Sequence, residues 1–130
     1  MDLQLQQKIV VQTLEDAKGQ DIQVFDTQPL TSLFDRVVIV SATSGRHTRA
    51  LADQLGRKAK EYGIDIVATE GEDGGEWVLI DLGDIIVHCM QPAIRDYYRL
   101  EEIWGDHPIS LEQILAQTLP EPDKLKKKKT

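Results

Sequence analysis

The residues best suited to chemistry are two carboxylates, Asp81 and Asp84, at the end of a strongly apolar stretch. Paired carboxylates at a strand end can hold Mg²⁺ for phosphoryl transfer, so a nucleotide-dependent enzyme is one hypothesis for this chain. Asp84, however, lies in the dipeptide Gly83–Asp84, and aspartate is a routine turn residue. We therefore favour a turn over a metal site at this position.

A second candidate is the segment Ser41–Gly45, which follows an apolar run and precedes a helical pattern. Backbone N–H groups at the start of a helix can hold an anion. The segment has neither of the glycine patterns of the standard nucleotide-binding loops. We favour the simpler interpretation, in which Thr43 or Ser44 caps the helix.

The histidines and the cysteine do not suggest a site. His47, His88 and His107 lack a histidine partner at the helical spacing of a metal pair. His88 and Cys89 are adjacent, and neighbouring strand residues point to opposite faces, so they cannot share one zinc ion. Cys89 is predicted to be an inert buried thiol. We expect no catalytic residues, no metal and no cofactor.

The composition indicates an acidic protein and suits a location in the cytoplasm. A formal net charge of −7 disfavours general nucleic-acid binding, because phosphate contacts dominate that affinity, and it favours a basic partner. The single cysteine suits a reducing compartment. The chain has no apolar run long enough for a membrane span, and its first residues do not look like a secretory signal.

The apolar periodicity predicts one domain over residues 1–119, followed by a disordered tail rich in Pro and Lys at 120–130. Helices are predicted near 3–17, 44–62, 92–100 and 110–115, and strands near 22–24, 37–40, 64–68, 77–82 and 85–90. This order predicts an α/β domain, bordering on α+β, in which helices flank a mixed five-stranded sheet.

The last two strands form a hairpin whose Gly83–Asp84 turn fixes the pairing, with Leu82 facing Ile85. One face is wholly apolar and is expected against the helices. The other face, called the mixed face below, carries Trp77, Leu79, Asp81, Ile86, His88 and Met90. It is either a partner interface or a second buried layer, in which Asp81 and His88 hydrogen-bond to each other or to the backbone.

Aromatic residues are concentrated just after this hairpin, in a chain that is only 5% aromatic. Tyr97, Leu100 and Trp104 have the spacing of one helical stripe, so they can belong to the core. Tyr98 lies off that stripe and is predicted to be an exposed anchor.

As a set, these motifs resemble the ribosomal silencing factors, which are also described as Iojap-like proteins. The resemblance covers about residues 5–106. It is carried by Ser41–Ser44 with Arg46-His47, by Glu76–Asp81 and Gly83–His88, and by Tyr97-Tyr98 with Leu100-Glu101 and Trp104. The chain departs from the family pattern at Ala42, where Gly is common, and at Arg36, where Tyr is common.

The resemblance implies a fold like that of nucleotidyltransferases without their active site, and a role without catalysis. Such factors bind the large ribosomal subunit through its fourteenth protein, block joining of the small subunit and reduce translation when nutrients are short. They are often homodimers. The Lys-rich tail has no counterpart in the family pattern; it is interpreted as a solubilising extension that would add at most a peripheral contact with rRNA.

Under this hypothesis the partner-binding residues are Trp77, Asp81, Asp84, His88, Tyr97, Tyr98 and Trp104, and Leu79 and Met90 add apolar area. Two alternatives stay open. One is a nucleotidyltransferase-like enzyme that uses Asp81 and Asp84, and the other is a homodimeric adaptor whose mixed face is used in self-association.

Overall fold

The computed structural model describes residues 1–119 and 121–122, which form five helices and six strands. The helices are α1 (Leu3–Asp16), α2 (Gly45–Tyr62), α3 (Pro92–Tyr98), α4 (Glu101–Trp104) and α5 (Leu111–Ala116). The strands are β1 (Gln20–Asp26), β2 (Arg36–Ser41), β3 (Ala68–Glu70), β4 (Trp77–Asp81), β5 (Ile85–Met90) and β6 (Pro108–Ile109). Apart from 121–122, the predicted tail lies outside the described residues.

The strands form one mixed sheet in the order β3-β4-β5-β2-β1-β6, in which β2 and β5 are parallel and the other described pairs are antiparallel. The predicted α/β class with a mixed sheet is confirmed. The predicted count of five strands is one too low, because two-residue β6 pairs with Val24 and Phe25 of β1. The third strand also begins later than predicted, at Ala68.

The main core lies between one face of the sheet and helices α1, α2 and α5. Every residue of β2 is buried, which explains its continuous β-branched run. Leu14 of α1, together with Leu51 and Leu55 of α2, packs in the same cluster as Val78 and Val87 of the hairpin. This layer buries the apolar hairpin face predicted from the sequence.

A smaller buried cluster lies on the opposite face of the sheet, the side of the mixed face. Its fully packed members are Phe25, Val37, Ile39 and Met90, and half-buried Phe34, Trp77, Ile86, Ile94, Leu100 and Trp104 pack against them. Met90 is 0% exposed. The expectation that Met90 adds contact area at the surface is therefore wrong, because α3 and the residues after it cover that end of the sheet.

The predicted helix over 92–100 is interrupted. Arg99 adopts the left-handed conformation with φ 49°, so α3 ends at Tyr98 and the short α4 follows. Tyr97, Leu100 and Trp104 therefore do not share one helical stripe. Tyr97 is 78% exposed, whereas Leu100 and Trp104 are half-buried in the smaller cluster.

Arg36, at one of the positions that depart from the family pattern, joins three elements. Its Nη1 lies 2.9 Å from Oδ1 of Asp26 in β1, and its Nε donates to Oε1 of Gln7 in α1 at 2.8 Å. Arg36 is buried, so these bonds satisfy a charge that would otherwise be costly to remove from water. The guanidinium thus has a structural role in this chain.

The glycine loop before β4 yields a test of the fold. Gly71 has φ +88°, and a Cβ there would lie 2.0 Å from the carbonyl oxygen of Trp77. We expect Gly71→Ala to lower the free energy of unfolding by about 2 kcal/mol or more, from left-handed strain and the clash with backbone. Urea unfolding monitored by tryptophan fluorescence measures this loss.

Gly74→Ala in the same loop is the matched control, because nothing lies within 4 Å of the position its Cβ would take. Equal stability losses in the two variants would contradict the proposed close approach at Gly71.

Candidate partner-binding surface

The hairpin has the register predicted from the sequence. Trp77 pairs with Met90, Leu79 with His88, and Asp81 with Ile86. Gly83 has φ +86°, as the first position of a glycine-led two-residue turn requires, and Leu82 N donates to Ile85 O at 3.0 Å. The mixed face therefore carries the side chains that the sequence placed there.

On this face, Trp77 and His88 form a direct hydrogen bond. The indole Nε1 of Trp77 donates to Nδ1 of His88 at 3.0 Å. Asp81 instead uses Oδ1 to accept a bond from Gly83 N at 2.8 Å, which closes the turn. The interpretation that Asp81 and His88 bond to each other is wrong, although Asp81 does bond to the backbone.

Burial lowers the pKa of His88 from its ordinary value of 6.5 to about 4, because the charged imidazolium is poorly solvated there. His88 is therefore neutral at pH 7. It lies in an otherwise acidic region of the surface without carrying a compensating positive charge.

Four side chains form what we call the aromatic row: Tyr97, Tyr98, Trp77 and His88. Their ring centroids are separated by 5.0 Å between Tyr97 and Tyr98, 4.9 Å between Tyr98 and Trp77, and 5.8 Å between Trp77 and His88. Tyr97 is 78% exposed and Tyr98 is 52% exposed. The row thus leads from solvent at α3 onto the sheet.

The inner end of the aromatic row opens into a groove of about 620 Å³. Its lining residues are Leu33, Phe34, Val67, Ala68, Glu70, Leu79, Asp81, Gly83, Ile86 and His88. The charged members are Glu70 and Asp81, and the described lining contains no Lys or Arg. Leu33, at 81% exposure, is a large apolar side chain left in water. Such an exposed apolar and acidic surface is suited to a partner with complementary charge.

Not all the predicted site residues face this surface. Asp84 is exposed in the turn, outside the groove lining. Trp104 packs edge-on against Phe34, with centroids 5.7 Å apart, and belongs to the smaller cluster. The structure brings together five of the predicted residues: Trp77, Asp81, His88, Tyr97 and Tyr98. Trp104 instead packs against Phe34 within the smaller cluster.

Arg95 positions the aromatic row, and the sequence analysis did not identify it. This buried side chain of α3 donates through Nη1 to Asp21 O at 2.7 Å and to Ser41 Oγ at 2.8 Å. Its Nε donates to Glu101 Oε1 at 3.2 Å. One guanidinium therefore links α3 to β1, β2 and α4, which sets the position from which Tyr98 reaches Trp77.

The groups first considered for chemistry lie at opposite ends of the sheet. Ser41 pairs with Met90 at the end of β5, whereas Asp81 pairs with Ile86 near its start. The two sites are four residue steps apart along the direction of β5, roughly 13 Å. The structure therefore does not bring Ser41–Gly45 together with Asp81 and Asp84.

The remaining candidate residues have structural roles. Ser44 caps α2 by accepting a bond from His47 N at 3.1 Å, which confirms the predicted capping role. His47 in turn accepts at Nδ1 from Thr43 N at 3.0 Å. Cys89 is 0% exposed, and burial raises the pKa of its thiol to about 12.

Among residues 1–119 and 121–122, no group of three or more His, Cys, Asp or Glu side chains is arranged to hold a metal ion. None of the helices in this part of the chain is both long and apolar enough to cross a membrane.

These features define an α/β domain whose sheet presents an exposed aromatic and acidic surface of the kind used for binding. A family model described as "Ribosomal silencing factor during starvation" (RsfS) matches residues 2–130, and the chain belongs to this family. It is 50% identical over 105 residues to "Ribosomal silencing factor RsfS" of Chromobacterium violaceum, covering 81% of this chain and 86% of that protein.

Two further comparisons extend this relationship. "Mitochondrial assembly of ribosomal large subunit protein 1" of Mus musculus is 34% identical over 118 residues, covering 87% of this chain and 52% of that protein. A crystal structure from Chromobacterium violaceum superposes with a TM-score of 0.79 at 45% identity, covering 94% of this chain and 98% of that one. The predicted family and fold are confirmed.

The buried neutral state of His88 predicts a pH dependence of stability. Its pKa is about 4 in the folded chain and close to 6.5 when exposed. Above pH 6.5 both states are neutral, and below it the unfolded chain binds the proton first. The free energy of unfolding therefore falls as pH drops from 6.5 to about 4, by on the order of 2–3 kcal/mol from this residue.

Chemical denaturation between pH 4 and pH 7.5 measures this dependence, with His88→Gln as the control because glutamine does not titrate. We expect the stability of the wild-type chain relative to His88→Gln to decrease on acidification. A difference that stays constant over this range would show that His88 is not held in its neutral form.

Proposed function

We propose that this protein is a translational repressor of the cytoplasm. It binds the large ribosomal subunit through that subunit's fourteenth protein and sterically blocks joining of the small subunit during nutrient limitation. The observation that carries the proposal is the aromatic row, which ends in a groove whose charged lining is acidic. Membership of the ribosomal silencing factor family supports a role in silencing ribosomes.

The surface has the composition of a binding site for a basic protein. Large aromatic side chains such as Tyr98 and Trp77 bury much area at low entropic cost and dominate the affinity of many interfaces. Asp81 uses Oδ1 within its own turn, and Oδ2 is available to a Lys or Arg of the partner. Apolar Leu33 gains from being covered, because 81% of it is exposed to water.

Repression of this kind requires occupancy and no reaction. A protein of 130 residues that sits on a face also needed by the small subunit excludes that subunit by volume alone. We propose that the chain acts without catalysis, and that its affinity and concentration set the degree of repression.

Two finer elements complete the proposal. We infer that the free protein is a homodimer and that the Lys-rich end of the chain adds a peripheral contact with rRNA. Light scattering of the purified chain measures the first. The mouse relative is named for the assembly of a large ribosomal subunit, in keeping with a partner on that subunit.

Tyr98→Ala tests the aromatic row. Tyr98 is half exposed and contacts Trp77, so its removal takes away anchor area without opening the core. We expect affinity for purified large subunits to fall roughly ten-fold, about 1.4 kcal/mol, with little change in thermal stability. Co-sedimentation over a range of protein concentrations measures it.

Arg57→Ala, on the exposed side of α2 across the sheet, is the control that should bind like the wild type. Co-sedimentation of Tyr98→Ala equal to that of Arg57→Ala would remove Tyr98 from the interface.

Asp81→Asn tests the charge of the groove. Asparagine keeps an oxygen for Gly83 N, so the turn is preserved while the negative charge is lost. We expect a five- to ten-fold loss of affinity at low salt and a weaker dependence of binding on salt, since one ion pair no longer forms. The control is Asp53→Asn on α2, an equal charge change away from the groove. Identical salt dependence of the two variants would argue against an ion pair at Asp81.

A further inference from the structure

We propose that His88 is a specificity-determining residue of this surface. Its Nε2–H group donates a hydrogen bond to an oxygen acceptor of the partner, beside the place where Asp81 receives the partner's cation. The occupant of the groove is thus a segment of a basic protein that presents an oxygen acceptor and, close to it, a Lys or Arg. This inference rests on the proposed function and specifies its chemistry.

The contact with Trp77 determines which nitrogen of His88 carries the proton. An indole N–H can only donate, so Nδ1 of His88, 3.0 Å from it, must be the acceptor and lacks a proton. A neutral imidazole has one N–H group, which then lies on Nε2. Trp77 therefore holds His88 in a single tautomer before any partner arrives.

The Nε2–H group is available to a partner. His88 lines the groove, and Nε2 has no hydrogen-bond partner among the described residues, whereas Nδ1 is occupied. An oxygen acceptor on the partner replaces the hydrogen bond to water that this donor gives up on binding. An apolar group over the same donor would leave it unpaired, which disfavours such a partner.

Asp81 supplies the second group that the partner would contact, an anionic acceptor. Leu79 pairs with His88 and Asp81 with Ile86, so Asp81 and His88 are diagonal neighbours on the mixed face. Diagonal residues of an antiparallel pair lie roughly 7–8 Å apart. The groove therefore offers a neutral donor and an anionic acceptor at a fixed separation, between apolar Leu79 and Ile86.

A neutral donor at this place has a specific advantage. A lysine or arginine at position 88 would pair with Asp81 and Glu70 and so neutralise the groove. Histidine in its neutral form donates one hydrogen bond and leaves both carboxylates free for the partner. The surface therefore favours a basic segment, because the negative charge of the groove is kept for attraction of that segment.

Two matched substitutions separate recognition from support of Trp77. In His88→Gln, the longer side chain places an amide N–H near the position of Nε2. In His88→Asn, the shorter side chain reaches only the position of Nδ1, where its oxygen can still accept from Trp77. We expect His88→Asn to bind large subunits at least ten-fold more weakly than the wild type, and His88→Gln to lose less than three-fold.

Spectroscopy of the full chain gives an independent readout. Long-range ¹H–¹⁵N correlation spectra of the ¹⁵N-labelled protein at pH 7 distinguish the two imidazole tautomers. We expect His88 to show a protonated Nε2 and an unprotonated Nδ1. A protonated Nδ1 would overturn the proposal whatever the binding data show.

The binding results have distinct meanings. If His88→Asn binds like the wild type, or better than His88→Gln, then His88 only supports Trp77 and the proposal is wrong while the proposed function stands. If His88→Asn is not folded at the assay temperature, a ten-fold loss in His88→Gln is sufficient to reject it. Failure of the wild-type chain itself to sediment with large subunits would reject the proposed function, and the role of His88 with it.

Discussion

The two-residue turn at Gly83–Asp84 is the constraint on which the surface and the core both depend. With this turn length, Leu82 must face Ile85, and every later pair follows. Side chains alternate between faces, so a slip of β4 by one residue against β5 would turn Asp81 toward the helix layer. It would also turn Val78 away from the core and onto the mixed face. Packing of the core therefore fixes the register of β4 and β5, and this register places the binding side chains on the mixed face.

The parts of the molecule that the sequence predicts well are those governed by local rules. A glycine-led turn determines the register of β4 and β5, and a serine before a helical stripe predicts the cap at Ser44. The buried run in β2 and the position of Pro92 at the start of α3 follow from equally local preferences. The mixed face was predicted for the same reason, since it depends only on alternation within one hairpin.

The features that were missed depend on contacts between distant residues. Two-residue β6 has no alternating pattern and exists because β1 has an open edge beside it. Arg99 takes a left-handed conformation that is usually found at glycine, and this conformation ends α3. The sequence spacing of Leu100 and Trp104 is the same whether or not the helix ends there. Arg95 resembles any surface arginine until Asp21, Ser41 and Glu101 are brought around it.

The single thiol of this chain has a practical consequence. Cys89 lies on β5 directly next to His88 but points to the opposite face, where it is fully enclosed and its pKa is about 12. A thiolate is the reactive form, so an alkylating reagent can modify this group only after the sheet has separated from its helices. The rate of alkylation thus reports how often the core between the sheet and the helices opens. In a study of ligand binding at this surface, alkylation of Cys89 can therefore serve as an internal measure of unfolding at the position next to His88.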